Sequence, residues 1–235
     1  MGICLRGKSF IFTIMILFLF AGSTAAFGAA GKNVVVIDPA HGGTERGVQL
    51  SRSTYEKDLT LTIGKRIAER LGKITNIEIR LTRSKDINLT IEKRKEMARK
   101  AKADLFISLH VNAGFGNKSI GYEIYFTGFD APSSKKVNSS EIVKDMVRNQ
   151  YLNDTVRFAQ IFQRNFSKVL PREDRGLREA PFLVYEGLAI PSVAIELGFA
   201  TNVKNKKKLT DKKTQQAIAD AIVKSIREYF VTSGI

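Results

Sequence analysis

Three short apolar runs each stop at a residue that can bind a metal or move a proton, and this pattern constrains the chain more than any other. Val34-Val35-Val36-Ile37 leads into Asp38-Pro39-Ala40-His41-Gly42-Gly43. Leu105-Phe106-Ile107-Ser108-Leu109 leads into His110-Val111-Asn112-Ala113, and Ser192-Val193-Ala194-Ile195 leads into Glu196-Leu197-Gly198-Phe199. Runs of this length and composition read as buried strands. The chain has only two histidines, and both fall at such strand ends. In an open α/β sheet, ligands bind outside the carboxyl ends of the strands. Two imidazoles converging there with Glu56 and Glu196 would suit a catalytic zinc: three protein ligands, an open position for water, and a carboxylate base.

Between these runs the apolar period lengthens, which argues for helices alternating with strands. Tyr55–Leu71 carries Leu59, Ile63, Ile67 and Leu71 at intervals of four, one face of a helix. Further helices are expected from Asn88 through Ala101, over Asn153–Val169, and over Thr214–Phe230 with Ile218, Ile222, Ile226 and Phe230 on its buried side. Further strands are expected at Ile77–Leu81, Gly121–Phe126 and Phe182–Tyr185. The expected fold is one α/β domain, a mostly parallel twisted sheet of about six strands with helices on both faces. Its least regular stretch is 127–153. There Asn138-Ser139-Ser140-Glu141 has the form of a helix start, and Ile142, Val143, Met146 and Val147 give a short helix to about Asn149 one apolar stripe.

The first thirty residues do not belong to that domain. Arg6 and Lys8 precede an apolar run from Phe10 to Phe20, followed by small residues through Ala30. That order reads as a secretory signal peptide cleaved between Ala26 and Ala30, which leaves 31–235 as the mature domain with no stable membrane span. The only cysteine, Cys4, lies before the apolar run, where a lipoprotein cysteine would not be. The mature chain therefore has no cysteine, which excludes thiol catalysis and thiolate metal ligation. It keeps 36 basic against 23 acidic residues, or +13. Such an excess calls for an anionic partner surface. For an exported protein that means cell-wall polymer or lipid headgroups rather than nucleic acid. The basic run Lys204–Lys213 also fits a merely solvated face.

His41 lies in a tight loop among Pro39, Gly42 and Gly43, a setting that favours a ligand over a packed core histidine. Ser108, two residues before His110, could orient its neighbours. Glu56 is ambiguous on pattern alone. Ser53-Thr54-Tyr55-Glu56 also fits a capping box, in which the glutamate bonds the helix's own amides.

Asp38–Gly43, Glu56-Lys57-Asp58-Leu59, Ser108–Ala113, Arg175-Gly176-Leu177 and Glu196–Phe199 occur in the order seen in zinc-dependent N-acetylmuramoyl-L-alanine amidases. The chain resembles the amidase-3 family of these enzymes from about Asn33 to Phe230. The resemblance implies zinc bound by His41, Glu56 and His110, with Glu196 as the catalytic glutamate. It also implies peptidoglycan as substrate, cut at the amide between N-acetylmuramic acid and L-alanine, in the periplasm or the extracellular cell wall. Ala40 stands where the family usually has glycine. If that position needs a left-handed backbone, the cost is about 1–2 kcal/mol.

Some members carry an insertion whose helix places a glutamate on the zinc until an activator protein moves it. Here 127–153 is the corresponding segment and Glu141 the candidate occluding, autoinhibitory carboxylate, beside the plainer reading of a surface loop. No appended wall-binding or targeting module, such as some relatives carry, is expected, so targeting is expected from charge or from a partner. Three rival readings remain open on the sequence: a zinc peptidase acting within stem peptides, a non-catalytic peptidoglycan-binding module, and, if the signal stays uncleaved, an amphipathic or basic membrane-surface protein.

Overall fold

The computed structural model describes Gly2 and residues 31–74, 76–128 and 139–233; within these, the side chains of 139–145, 147, 148 and 233 are not described. The expected signal peptide, residues 1–30, lies outside the described residues apart from Gly2. Eleven elements are described: β1 (Asn33–Pro39), α1 (Glu56–Leu71), β2 (Ile77–Leu81), α2 (Ile91–Lys100), β3 (Leu105–Asn112), β4 (Tyr122–Phe126), α3 (Ser139–Phe166), β5 (Asp174–Glu179), β6 (Ser192–Phe199), α4 (Val203–Thr210) and α5 (Lys212–Ser233).

The six strands form one sheet in the order β2-β1-β3-β6-β4-β5. β2, β1, β3 and β6 run parallel, while β4 lies antiparallel to β6 and carries the parallel β5 at the edge. β6 is buried along its whole length, as expected of a central strand covered on both faces. Alternation sends Ile37, Ile107, Leu109 and Ile195 to one side. There they meet Leu59 and Ile63 of α1, Phe158 and Phe162 of α3, and Ile218, Ile222 and Ile226 of α5. Val36, Phe106 and Ala194 face the other way, against Ala98 of α2, Val184 and Tyr185. Helices thus cover both faces, and the second face is the thinner one.

Three expectations about elements change. The two helices expected between 138 and 169 are one helix, α3, of 28 residues. Its sequence contains no glycine or proline that would end the first piece. Phe182–Tyr185 is not a strand: the amides of Tyr185 and Glu186 both bond the Phe182 carbonyl, closing a turn. Its apolar residues cover the sheet instead of joining it, with Phe182 packed 5.0 Å from Tyr125 and 5.7 Å from Tyr185, centroid to centroid. The edge place belongs to Asp174-Arg175-Gly176-Leu177-Arg178-Glu179, a mostly exposed polar strand that carries no apolar period to detect. α2 begins at Ile91 rather than Asn88 because Thr90 is its cap, accepting a bond from the Lys93 amide.

Candidate metal centre and active site

The site grows from the end of β1. After Pro39 the chain turns sharply, with His41 itself in the left-handed region at φ 61°. Among the described residues the non-glycine positions with positive φ are His41, Lys102 and Arg172. The strain foreseen for Ala40 is thus absent there; it sits one residue on, at a histidine, which tolerates that region better than most residues. Two buried arginines hold the turn. Arg83 donates to the carbonyls of Pro39 and Ala40 at 2.9 Å each, and Arg94 donates to Pro39 at 2.9 Å and His41 at 2.8 Å. These bonds satisfy carbonyls that burial would otherwise strand.

His110 lies within β3, not beyond its end. Side chains two apart share a sheet face, so Phe106, Ser108 and His110 line the thinner face in succession. Ser108 Oγ is 2.8 Å from His110 Nε2 and donates at 2.8 Å to Asp38 Oδ2. Asp38 is buried and paired with Arg94 at 2.6 Å, and a carboxylate so paired accepts only. The single hydroxyl proton of Ser108 therefore goes to Asp38, and His110 Nε2 must carry its own. That leaves a lone pair on Nδ1, which faces Glu56 Oε1 at 3.6 Å. His41 is fixed in the same way: Nδ1 donates to Glu45 Oε1 at 3.0 Å, and Nε2 faces Glu56 Oε1 at 3.1 Å.

Glu56 is the first residue of α1 and is 2 % exposed. The capping role belongs to Asp58, which accepts from the Tyr55 amide at 2.9 Å. Glu56 instead turns inward and accepts amide bonds from Val111 at 2.9 Å and Val48 at 3.1 Å. Burial raises its pKa, but the two imidazoles and their charge when protonated more than offset this, holding it at about 2. Burial would lower His41, yet hydrogen bonds and charge from Glu56, then Glu45, leave it raised.

The donor atoms of His41, Glu56 and His110 all lie within 4.8 Å of one another. Two imidazole lone pairs and a carboxylate oxygen facing each other at 3.1 and 3.6 Å share no proton unless a histidine is charged. Three ligands at ~2.0–2.1 Å around a tetrahedral zinc would stand roughly 3.3 Å apart. The residues present therefore fit a small divalent cation with nitrogen and oxygen ligands.

Glu196 is the register partner of His110 on β6 and, across the antiparallel pairing, of Glu123 on β4. It is 8 % exposed, and its buried Oε2 has no hydrogen-bond partner among the described residues. Burial, opposed by His110 and reinforced by the charges of Glu56 and Glu123, pushes its pKa up to about 7. A cleft of about 540 Å³ opens beside the histidines, walled by Leu89 and Ile91 on one side and Pro181, Phe182 and Leu183 on the other. Phe182 packs edge-on to His110 with ring centroids 5.6 Å apart. Of the sequence-predicted residues, His41, Glu56 and His110 converge, and Glu196 lies next to them on the sheet. Glu141 is in α3, but its side chain is outside the described residues. Sequence reasoning missed Glu45, Glu123, Arg94 and Phe182. Glu45 could have been found from its place four residues after His41; the others come together only through the sheet.

An α/β sheet carrying two half-buried histidines around a buried glutamate, a group able to hold a metal, with a desolvated carboxylate beside it has the make-up of a hydrolase site. The family model described as N-acetylmuramoyl-L-alanine amidase matches residues 35–228. The amidase AmiC of Escherichia coli O6:H1 is 27 % identical over 228 residues, covering 86 % of this chain and 55 % of that protein. The chain thus spans about half the length of that relative. The crystal structure of an N-acetylmuramoyl-L-alanine amidase from Clostridium difficile 630 superposes with a TM-score of 0.73 at 29 % identity, over 87 % of this chain and 100 % of that one. The CwlD amidase of Clostridioides difficile, solved in complex with the GerS lipoprotein, gives 0.68 at 26 % identity, over 86 % of this chain and 100 % of that one. This chain belongs to the amidase-3 family of N-acetylmuramoyl-L-alanine amidases.

Proposed function

We propose that this chain cleaves the amide joining N-acetylmuramic acid to L-alanine in peptidoglycan, with zinc held by His41, Glu56 and His110 and with Glu196 as general acid–base. The observation that carries the reading is the placement of Glu196: a desolvated carboxylate with a buried oxygen lacking a hydrogen-bond partner among the described residues, on the strand next to His110 of a triad able to hold a metal. A wall-binding module would need no such group. Zinc held there supplies Lewis acidity towards water and the scissile carbonyl. Glu196 takes a proton from the attacking water and passes it to the alanine nitrogen as the C–N bond breaks, leaving a lactyl carboxylate and a free amino group. Ser108 and Glu45 hold the imidazoles in the tautomers that present lone pairs to the metal.

The same proposal includes export, with residues 1–30 removed, and action in the periplasm or cell wall. Among the described residues no helix is long and apolar enough to cross a membrane. An activator protein is part of the reading because the related CwlD was solved bound to GerS. Glu141 stays the candidate occluding residue on the resemblance alone. Digestion of purified sacculi by the zinc-loaded protein, with product ends identified by mass, tests the activity. New amino-terminal L-alanine is expected; internal stem-peptide ends would make the chain a peptidase, and no release would remove the enzymatic reading.

A further inference from the structure

Arg175 and Arg178 are three apart in β5, so a regular strand would point them to opposite faces. They share a face because the strand is irregular. Tyr122 pairs with Asp174 but Ile124 pairs with Leu177, so three steps on β5 match two on β4. Gly176, at φ 87°, lies within that extra step. A bulge of this kind re-aims a side chain, and such bulges concentrate next to active sites. Here the result is that both Nε atoms meet the same oxygen: Arg175 at 2.7 Å and Arg178 at 2.9 Å from Glu123 Oε1.

Glu123 already accepts from Tyr125 Oη at 2.8 Å and Asn112 Nδ2 at 3.2 Å. One arginine would balance its charge, and the second leaves an excess of one positive charge. Both guanidinium side chains are partly exposed, 35 % and 43 %, while Glu123 is 4 % exposed. Arg175 is steadied over the Phe199 ring at 5.0 Å. An anchor buried this deeply fixes two cationic forks at the surface of the site.

We infer that Arg175 and Arg178, aligned by Glu123, form a subsite for a carboxylate on the peptide arm of the substrate. The inference rests on the amidase reading and adds the substrate's direction across the sheet. From the metal ligands the thinner face runs through Glu196 on β6 and Glu123 on β4 to Arg178 on β5, the register partner of Tyr125. Strands are spaced about 4.8 Å apart, so Arg178 stands roughly 10 Å from Glu196. Two peptide residues extend about 7 Å beyond the scissile bond, and a long side chain reaching back closes the gap. The N-acetylated sugars carry no charge, so the anionic groups are those of the peptide arm. Planar guanidinium forks match a carboxylate, and two of them confer direction as well as attraction.

The test uses the zinc-loaded full domain and two synthetic muramyl dipeptides that differ only in whether the second residue's carboxylate is free or amidated. The parent enzyme is expected to favour the free acid about tenfold or more in kcat/KM, mainly through KM. Arg178→Ala and Arg175→Ala should shrink that preference towards one, and Arg178→Lys should restore part of it. Equal handling of the two substrates by the parent overturns the subsite, whatever the variants do. So does a full preference surviving in both folded alanine variants. Cleavage of neither dipeptide while sacculi also release no peptide takes down the amidase reading, and the subsite with it. Cleavage without preference leaves the amidase reading standing and removes only the subsite.

Discussion

Gly47 sits so close to Glu56 that a Cβ built on it would lie 2.5 Å from Oε2 and 2.7 Å from His41 Cδ2. Its backbone is also left-handed, at φ 66°. Gly47→Ala would therefore cost about 1–2 kcal/mol in backbone strain alone and would push apart His41 and Glu56, two of the proposed zinc ligands. Expected outcomes are a lower unfolding midpoint and weaker zinc retention against a chelator. A variant with parental zinc affinity would show that the loop can move aside.

Ser108 is the link between His110 and the buried Asp38–Arg94 pair. Ser108→Ala removes the group that holds the Nε2 proton, and it leaves Asp38 one donor short. Partners of this kind typically contribute 10–100-fold in metal affinity or activity. The expected loss is in zinc affinity, measured by competition with a chromophoric chelator, while Ser108→Thr keeps most of it. Equal affinity in Ser108→Ala would mean that packing alone orients His110.

The two histidines and Glu196 were legible as candidates because they sit where apolar runs end, a local signal. The resemblance chose between cap and ligand for Glu56, and the structure gives the physical reason: Asp58 takes the capping bond, which frees Glu56 to turn inward. Strand β5 was invisible because an exposed edge needs no apolar period, and the turn at 182–185 imitated a strand because its aromatics are buried against the sheet. The Glu123–Arg175–Arg178 cluster joins residues 52 or more apart through two strand pairings and a bulge. Spacing along a chain carries no trace of such a contact. The sheet order itself, with β6 between β3 and β4, is equally non-local.

The excess charge predicts salt-sensitive retention on the wall. Lys204, Lys207, Lys212 and Lys213 are exposed along α4 and the start of α5, whereas Lys208 is paired with Glu173. Exposed charges are screened beyond ~8 Å at physiological ionic strength. Binding to sacculi should weaken steadily from low salt to about 0.5 M, and replacing the four exposed lysines with glutamine should flatten that dependence. Retention that ignores salt would assign targeting to a specific pocket instead.

Glu196 makes the metal-free protein's stability depend on pH in a direction that can be worked out. Its pKa is raised from 4.5 to about 7 in the folded state. Between those values the native state holds a proton that the unfolded chain has lost, so stability is full below 4.5 and falls as pH rises through 7. A rise of about 2.5 units corresponds to roughly 3 kcal/mol at most. Glu56 runs the opposite way and lower: held at about 2, its contribution is present above 4.5 and lost as pH falls towards 2. Glu196→Gln should therefore remove most of the decline between 4.5 and 7 while leaving the acid limb. Any fixed cost of the amide appears equally at every pH, so the slope is the informative quantity. Urea unfolding of zinc-free parent and variant across pH 4–8 measures it. A bound divalent cation favours the charged carboxylate, so zinc should flatten the parent's slope as well. In the loaded protein Glu196→Gln should keep zinc and lose about 10²–10⁴-fold in rate. Superimposable pH profiles for the two metal-free proteins would mean that Glu196 is not the desolvated base.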